Sequence, residues 1–260
     1  MRSLTILCSL LFIFSGNAAR VAATTTFTSE DRVIIEKKKI VLVRKGRLAR
    51  QFPDRKTATV NYPVIKSGLK NPAVLNRVRS LLQIKNIFDT SLAEYRADAW
   101  LDEFDYQVNY NKNFILDITF TQSGQAAYPD SQTKNFAINL KTGTLIKSRD
   151  VFKPATLRTL AEMVDRKLQA EKNQIFKEAV QRGDITTDEK KNIQEMFDAL
   201  KFQVKDLDNF SVSDKGITFL YDAGFPHVAQ ALEPDGKYFL SYAELRSFIK
   251  PEGLLGRFVS

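Results

Sequence analysis

The stretch FDYQVNYNKNFILDITF, Phe104 to Phe120, decides the fold. Phe104, Tyr106, Val108 and Tyr110 alternate with Asp105, Gln107 and Asn109, and Phe114, Leu116, Ile118 and Phe120 alternate again after a turn at Asn111-Lys112-Asn113. A period of two places every second side chain on one side of an extended chain, so the segment predicts a β-hairpin with one apolar face. Phe136, Ile138 and Leu140 add a third alternating strand that ends at the Lys141-Thr142-Gly143 turn. Residues 101–147 therefore read as a four-element meander, with a polar loop from Gln122 to Thr133.

Working upstream, Ile40-Val41-Leu42-Val43 reads as a short buried strand, and Ala58, Val60, Tyr62 and Val64 as a half-buried one. Pro63 removes a ladder donor and marks an edge or a bulge. Asn71-Pro72 opens a helix with proline at its first position, and Leu75, Val78 and Leu82 follow on one face. Downstream, Pro154 opens a long helix with a stripe from Leu157 through Leu160, Val164, Leu168 and Phe176 to Ala179, spaced at 3.6 residues per turn and closed by Gly183. Thr186 and Glu189 form a capping-box pair ahead of a helix carrying Ile193, Phe197 and Leu200. Phe210 to Tyr221 reads as a hairpin turning at Asp214-Lys215-Gly216, and Tyr238-Phe239-Leu240 as a short strand. Ser241 and Glu244 cap a final helix through Leu245, Phe248 and Ile249, which Pro251 stops. The fold class is α+β: an antiparallel meander sheet packed by two or more amphipathic helices. No repeat or low-complexity linker divides the chain, and residues 57–250 form one body or two closely packed subdomains.

The N-terminus has a separate logic. Arg2 precedes the apolar run Leu4 to Phe14, and small residues follow it. That is the layout of a secretory signal peptide. A bilayer span needs about 20 apolar residues, so the run is too short for a membrane anchor. Val21-Ala22-Ala23 places cleavage after Ala23, with Ala18 or Ala19 as alternatives. Cys8, the single cysteine, lies inside the removed segment. The mature chain then has no disulfide, no lipidation cysteine and no thiolate metal site, and depends on its core for stability. It is expected to be soluble, and secreted or periplasmic.

The charge is concentrated. Residues 32–56 carry ten basic side chains against Glu36 and Asp54, and the chain beyond residue 56 is nearly neutral. A basic N-terminal segment on a neutral body suggests an anionic partner, which outside the cytoplasm means envelope glycan or lipid head groups. The alternative is a protected edge strand, because edge lysines block aggregation. Nucleic acid is disfavoured by export and by the lack of aromatic residues interleaved for base stacking.

Candidate catalytic motifs are sparse. His227 is the only histidine and has no Gly-x-Ser-x-Gly nucleophile to serve. Ser131-x-x-Lys134 and Lys141-Thr142-Gly143 match two elements of penicillin-binding enzymes, but here the serine enters a strand and the second motif is a hairpin turn. Asp98, Asp102, Glu103 and Asp105 cluster before the hairpin and match no calcium loop. They read as a solvated face, although Asp102 or Glu103 could serve a glycan hydrolase.

Several segments together resemble a known envelope family. They are Val60-Asn61-Tyr62-Pro63-Val64-Ile65 with Asn71 and the helix at Leu75-Asn76, Thr119-Phe120, Ala127-Tyr128-Pro129, Phe136 to Gly143, Arg149-Asp150-Val151-Phe152, Phe210 to Phe219, and Ser241 to Leu245. The chain is similar to the RsiV-like domain of unknown function, found beside peptidoglycan deacetylases and as the lysozyme-sensing ectodomain of an anti-sigma factor. The resemblance covers roughly residues 57–250. It implies an α+β fold and a binding role outside the cell, without the deacetylase domain or the membrane helix of its relatives. Where relatives often carry histidine before the proline, this chain has Tyr128. Common lysozymes are basic, and a basic chain repels them at long range.

The resulting expectation is an exported, non-enzymatic binding module of the bacterial cell envelope that contacts peptidoglycan, another anionic glycan or an envelope protein, with a lysozyme as the alternative partner. Residues 24–56 are the basic segment and 251–260 a C-terminal tail. The candidate binding residues are Lys37, Lys38, Lys39, Arg44, Lys45, Arg47 and Arg50, with Tyr128 on the Gln122–Thr133 loop as a second surface. No catalytic residue, metal or cofactor is expected.

Overall fold

A computed structural model describes residues 31–125, 128–186 and 188–259. The signal-peptide reading, Met1 to Ala23, lies outside the described residues. In chain order the elements are β1 (Ile34–Val43), α1 (Gly46–Gln51), β2 (Thr57–Ser67), α2 (Pro72–Leu81), α3 (Ile84–Ile87), α4 (Leu92–Ala97), β3 (Leu101–Lys112), β4 (Ile115–Gln125), β5 (Pro129–Asn139) and β6 (Thr144–Leu145). They continue as α5 (Ser148–Val151), α6 (Leu157–Arg182), α7 (Lys190–Ala199), β7 (Phe210–Val212), β8 (Gly216–Leu220), β9 (Lys237–Ser241) and α8 (Tyr242–Leu245). Strands β1 to β6 form one sheet in sequence order, and β7 to β9 a second. The fold is α+β, as the alternating patterns imply.

One joint in the large sheet departs from a pure meander. β2 and β3 run parallel and pair only at Thr59–Glu103 and Val60–Phe104, because the chain between them crosses over through α2, α3 and α4. Asn71 caps α2 by accepting from the Ala73 and Val74 amides, and Ser91 and Glu94 close a capping box on α4. These helices cover one face of the sheet and enclose Val60, Val78, Leu82, Ile87, Phe104, Leu116, Ile118, Phe120 and Ile138. Phe104, Phe120 and Phe136 make successive ring contacts across β3, β4 and β5.

A second core lies on the opposite face. Tyr110, Ile115 and Ala137 of the large sheet pack with Phe152, which follows α5, with Leu160, Val164 and Leu168 of α6, and with Phe210 and Phe219 of the three-stranded sheet. The N-terminal half of β4 is thus buried on both faces: Ile115, Leu116, Asp117 and Ile118 are all fully buried. Of these four, alternation assigns Leu116 and Ile118 to the apolar face and leaves Ile115 and Asp117 on the other. The last residues belong to this body too, since Leu255 is buried and the Phe258 ring stacks on Tyr242 at 4.3 Å.

Four local expectations are corrected. The first hairpin turns at Asn113-Phe114, both with positive φ, so Phe114 sits in the turn and outside the strand. Gln122 to Gln125 and Pro129 to Thr133 continue β4 and β5, paired from Gln122–Gln132 out to Gln125–Pro129, and are not loop. β5 is exposed from Pro129 to Lys134 and needs no apolar face there, while Gln122 of β4 is buried as a polar group bonded to Tyr95. β1 is a ten-residue edge strand with Val41 and Val43 exposed, rather than a short buried one. The final helix stops at Leu245, and Ile249 instead bridges to Phe152. The Thr186–Glu189 and Ser241–Glu244 capping contacts form as read.

Candidate functional site

The basic segment splits into three parts. On β1, Lys37 bonds Asp105 at 2.9 Å and lies 5.6 Å from the Tyr106 ring centroid. The Asp105 carboxylate holds the Lys37 ammonium above its ordinary range. Lys38 and Lys39 are exposed beside it on the unpaired edge. Lys45, Arg47 and Arg50 are exposed on and next to α1, beyond the end of β1. At about 3.3 Å per residue the end of β1 at Val43 is already about 17 Å from Lys38, and α1 lies beyond it. The two groups therefore do not form one patch.

Arg44 belongs to neither. Its side chain is buried, and its guanidinium donates to the carbonyls of Asp98, Arg55 and Leu101, each at 2.5 Å. Burial lowers its pKa, and Asp102 and Asp98 oppose that shift. Five donors in a rigid fork suit this task of gathering three carbonyls from two chain segments, one at Arg55 and one at the α4–β3 junction. Arg44 is a structural clamp, which removes it from the candidate binding surface.

That clamp draws the basic segment onto the back of a cleft that no sequence motif announced. A cavity of about 440 Å³ opens between α4 and the projecting end of β4 and β5. Phe88, Tyr95 and Trp100 supply aromatic surface, and Asp98, Asp130, Gln122 and Gln132 supply polar groups. The Tyr95 hydroxyl donates to the Gln122 carbonyl oxygen, whose amide nitrogen donates to Gln132 at 2.8 Å. Asp98 accepts from the Trp100 amide at 3.0 Å, which fixes the start of β3. Glu94 also lines the cleft, and its bonds to Ser91 hold its carboxyl below the usual range and ionised.

Gly124 makes the close approach at this cleft possible. A Cβ at Gly124 would lie 1.9 Å from the Trp100 carbonyl oxygen, and the neighbouring Gln125 amide donates to that same oxygen at 2.9 Å. Arg55 donates to the Gln125 carbonyl and lies over Phe52, so the basic segment also braces the tip of the β4–β5 hairpin. Tyr128 is exposed at that tip, two residues before the cleft residue Asp130. The structure thus brings Lys45, Arg47, Arg50 and Tyr128 to the cleft end of the sheet and leaves Lys37, Lys38 and Lys39 apart from it.

Asp102 and Glu103 are both exposed and line no described cavity. Ser131 and Lys134 lie on β5, and Lys141-Thr142-Gly143 is a hairpin turn in which a Cβ on Gly143 would meet the Val74 carbonyl at 2.9 Å. His227 lies at the start of a 3-10 turn. Among the described residues no three His, Cys, Asp or Glu side chains gather as a metal site, and no helix is long and apolar enough to cross a membrane.

Together these features define an α+β domain with an aromatic, amide- and carboxylate-lined cleft at one end of its main sheet. The same architecture occurs in a crystal structure of a DUF3298 family member from Bacteroides fragilis, with a TM-score of 0.56 and 14% identity over 88% of this chain and 98% of that one. A DUF3298 family protein from Pseudomonas aeruginosa aligns with a TM-score of 0.49 and 12% identity over 85% of this chain and 95% of that one. No protein-family model and no curated protein matches the chain. The Bacteroides protein's family is one of unknown function, and its likeness to this chain shows the fold.

Proposed function

We propose that this protein is a non-enzymatic, extracytoplasmic glycan-binding module whose binding site is the Trp100 cleft. The observation that carries the reading is the composition of that cleft. Sugars present flat C–H faces and a rim of hydroxyls. A site for them combines aromatic surface with convergent amide and carboxylate groups in a pocket of several hundred Å³. Trp100 and Phe88 offer the first, and Gln132, Asp98 and Asp130 the second.

Lys45, Arg47 and Arg50 complete the site as an electrostatic collar. The cleft itself has no basic lining residue, so the acidic substituents of an envelope glycan meet these cations outside it while the sugar rings enter. Steering by exposed charge is screened by salt, whereas stacking is not. The reading therefore expects two separable contributions.

Co-sedimentation of the mature chain with purified peptidoglycan at low and physiological salt tests the proposal. Binding should weaken but persist as salt rises, Trp100→Ala should abolish it at both, and the polymer should be recovered uncleaved. Wild-type binding that Trp100→Ala leaves unchanged would remove the cleft from the account, and release of soluble sugar would remove its non-enzymatic part.

A further inference from the structure

A second cavity lies on the other side of α4 and has the opposite character. β2 pairs with β1 along its whole length but with β3 only at Thr59 and Val60, so its second half has no ladder partner on that side. Pro63, which has no amide hydrogen to leave unpaired, falls in this half. The α2–α4 crossover spans the gap and leaves a cavity of about 580 Å³. Val64, Ile65, Leu82, Ile84, Leu92 and Ala93 make it mainly apolar.

The charge around it has one sign. Arg79 and Lys85 line the cavity and no carboxylate does. Arg79 is committed to the wall: its guanidinium donates to the carbonyls of Ile65 at 2.9 Å and Lys66 at 2.8 Å. Those bonds occupy two carbonyls near the end of β2 and keep the Arg79 cation at the cavity lining. Lys85 is exposed and takes no part in that wall. A concave apolar recess with a cationic margin takes a single molecule that has an apolar body and an anionic head. It is a poor fit for a membrane surface, which requires a projecting apolar face.

We infer that the cavity between β2 and α2–α4 is a binding site for a free single-chain amphiphilic anion of the fatty-acid type, with the chain against Ile65, Leu82 and Leu92 and the carboxylate at Lys85. This site is separate from the Trp100 cleft and does not depend on the glycan reading.

Calorimetric titration of the full mature chain tests it, with dodecanoate and dodecyltrimethylammonium each kept below micelle formation. Dodecanoate should bind with one-to-one stoichiometry. Lys85→Glu should weaken it about tenfold, a change of about 1.4 kcal/mol. Ala93→Trp, at an exposed helical position whose larger side chain can fill the recess, should abolish binding while the melting temperature stays close to wild type. Comparable binding of the cationic amphiphile, undiminished binding in a folded Ala93→Trp variant, no binding of dodecanoate, or affinity only for anionic vesicles would each overturn the inference.

Discussion

The backbone amide of Val212 donates to the Asp117 carboxylate at 2.9 Å, joining β7 of the small sheet to the doubly buried centre of the large one. Asn109 and Ser211 bond the same carboxylate at 2.7 and 2.8 Å, and Asn135 at 3.3 Å. Every neighbour is a donor, so a carboxylate is the group that satisfies them all. Asp117→Ala should destabilise the protein by about 3 kcal/mol, because it leaves several buried donors without an acceptor. Chemical denaturation checks this, and a loss within 0.5 kcal/mol of zero, the range of ordinary surface substitutions, would contradict it.

Burial nevertheless raises the pKa of Asp117, against the opposing pull of its four donors. A carboxyl whose folded pKa exceeds its unfolded value of about 3.9 binds its proton more tightly in the folded state. Its stabilising contribution is then complete below about pH 4 and declines as pH rises through the folded value. The stability advantage of wild type over Asp117→Asn should accordingly shrink as pH is raised from about 4. Denaturation midpoints of both proteins across that range check the sign, and a widening gap would contradict it.

Arg44 should behave as a folding residue. Arg44→Met removes donors from three carbonyls gathered from separate segments, and should cost about 3 kcal/mol. Arg47→Ala and Arg50→Ala, at exposed positions, should leave the melting temperature near wild type and weaken only the salt-sensitive part of glycan binding. Equal thermal stability of Arg44→Met and wild type would contradict the clamp.

Lys37, Lys38 and Lys39 should protect an edge. Antiparallel pairing of two copies through β1 about Lys38 would set Lys38 against itself and Lys37 against Lys39. Like charges placed directly opposite are destabilising. Replacing all three with threonine should raise self-association in sedimentation velocity. A triple variant as dispersed as wild type would show that the lysines are not what guards this edge.

The elements that could be read from the sequence are those whose pattern has a single cause. The Phe104–Phe120 hairpin, the α6 stripe and the Ser241–Glu244 cap are set by neighbours close in sequence, and local periodicity or capping chemistry exposes them. The Asp117 network was not legible, because a lone aspartate in an apolar strand acquires its meaning only from Ser211 and Val212, more than 90 residues away. Gln122 to Thr133 resembled a loop because β5 is exposed from Pro129 to Lys134 and needs no apolar face, and because Gln122 is buried as a hydrogen-bonded polar group. The charge count grouped Arg44 with its surface neighbours, although burial gives it a different task. The Trp100 cleft is assembled from α4, β3, β4 and β5, so no single stretch of sequence carries its lining.

The most direct test is the emission of Trp100 itself. It is the only tryptophan in the chain, so all tryptophan fluorescence comes from the cleft. Titration with soluble peptidoglycan fragments should shift that emission saturably, with an affinity matching co-sedimentation, and Gln132→Ala should weaken the response. Fragments that bind the protein while the Trp100 emission stays unchanged would contradict the central claim that the glycan occupies this cleft.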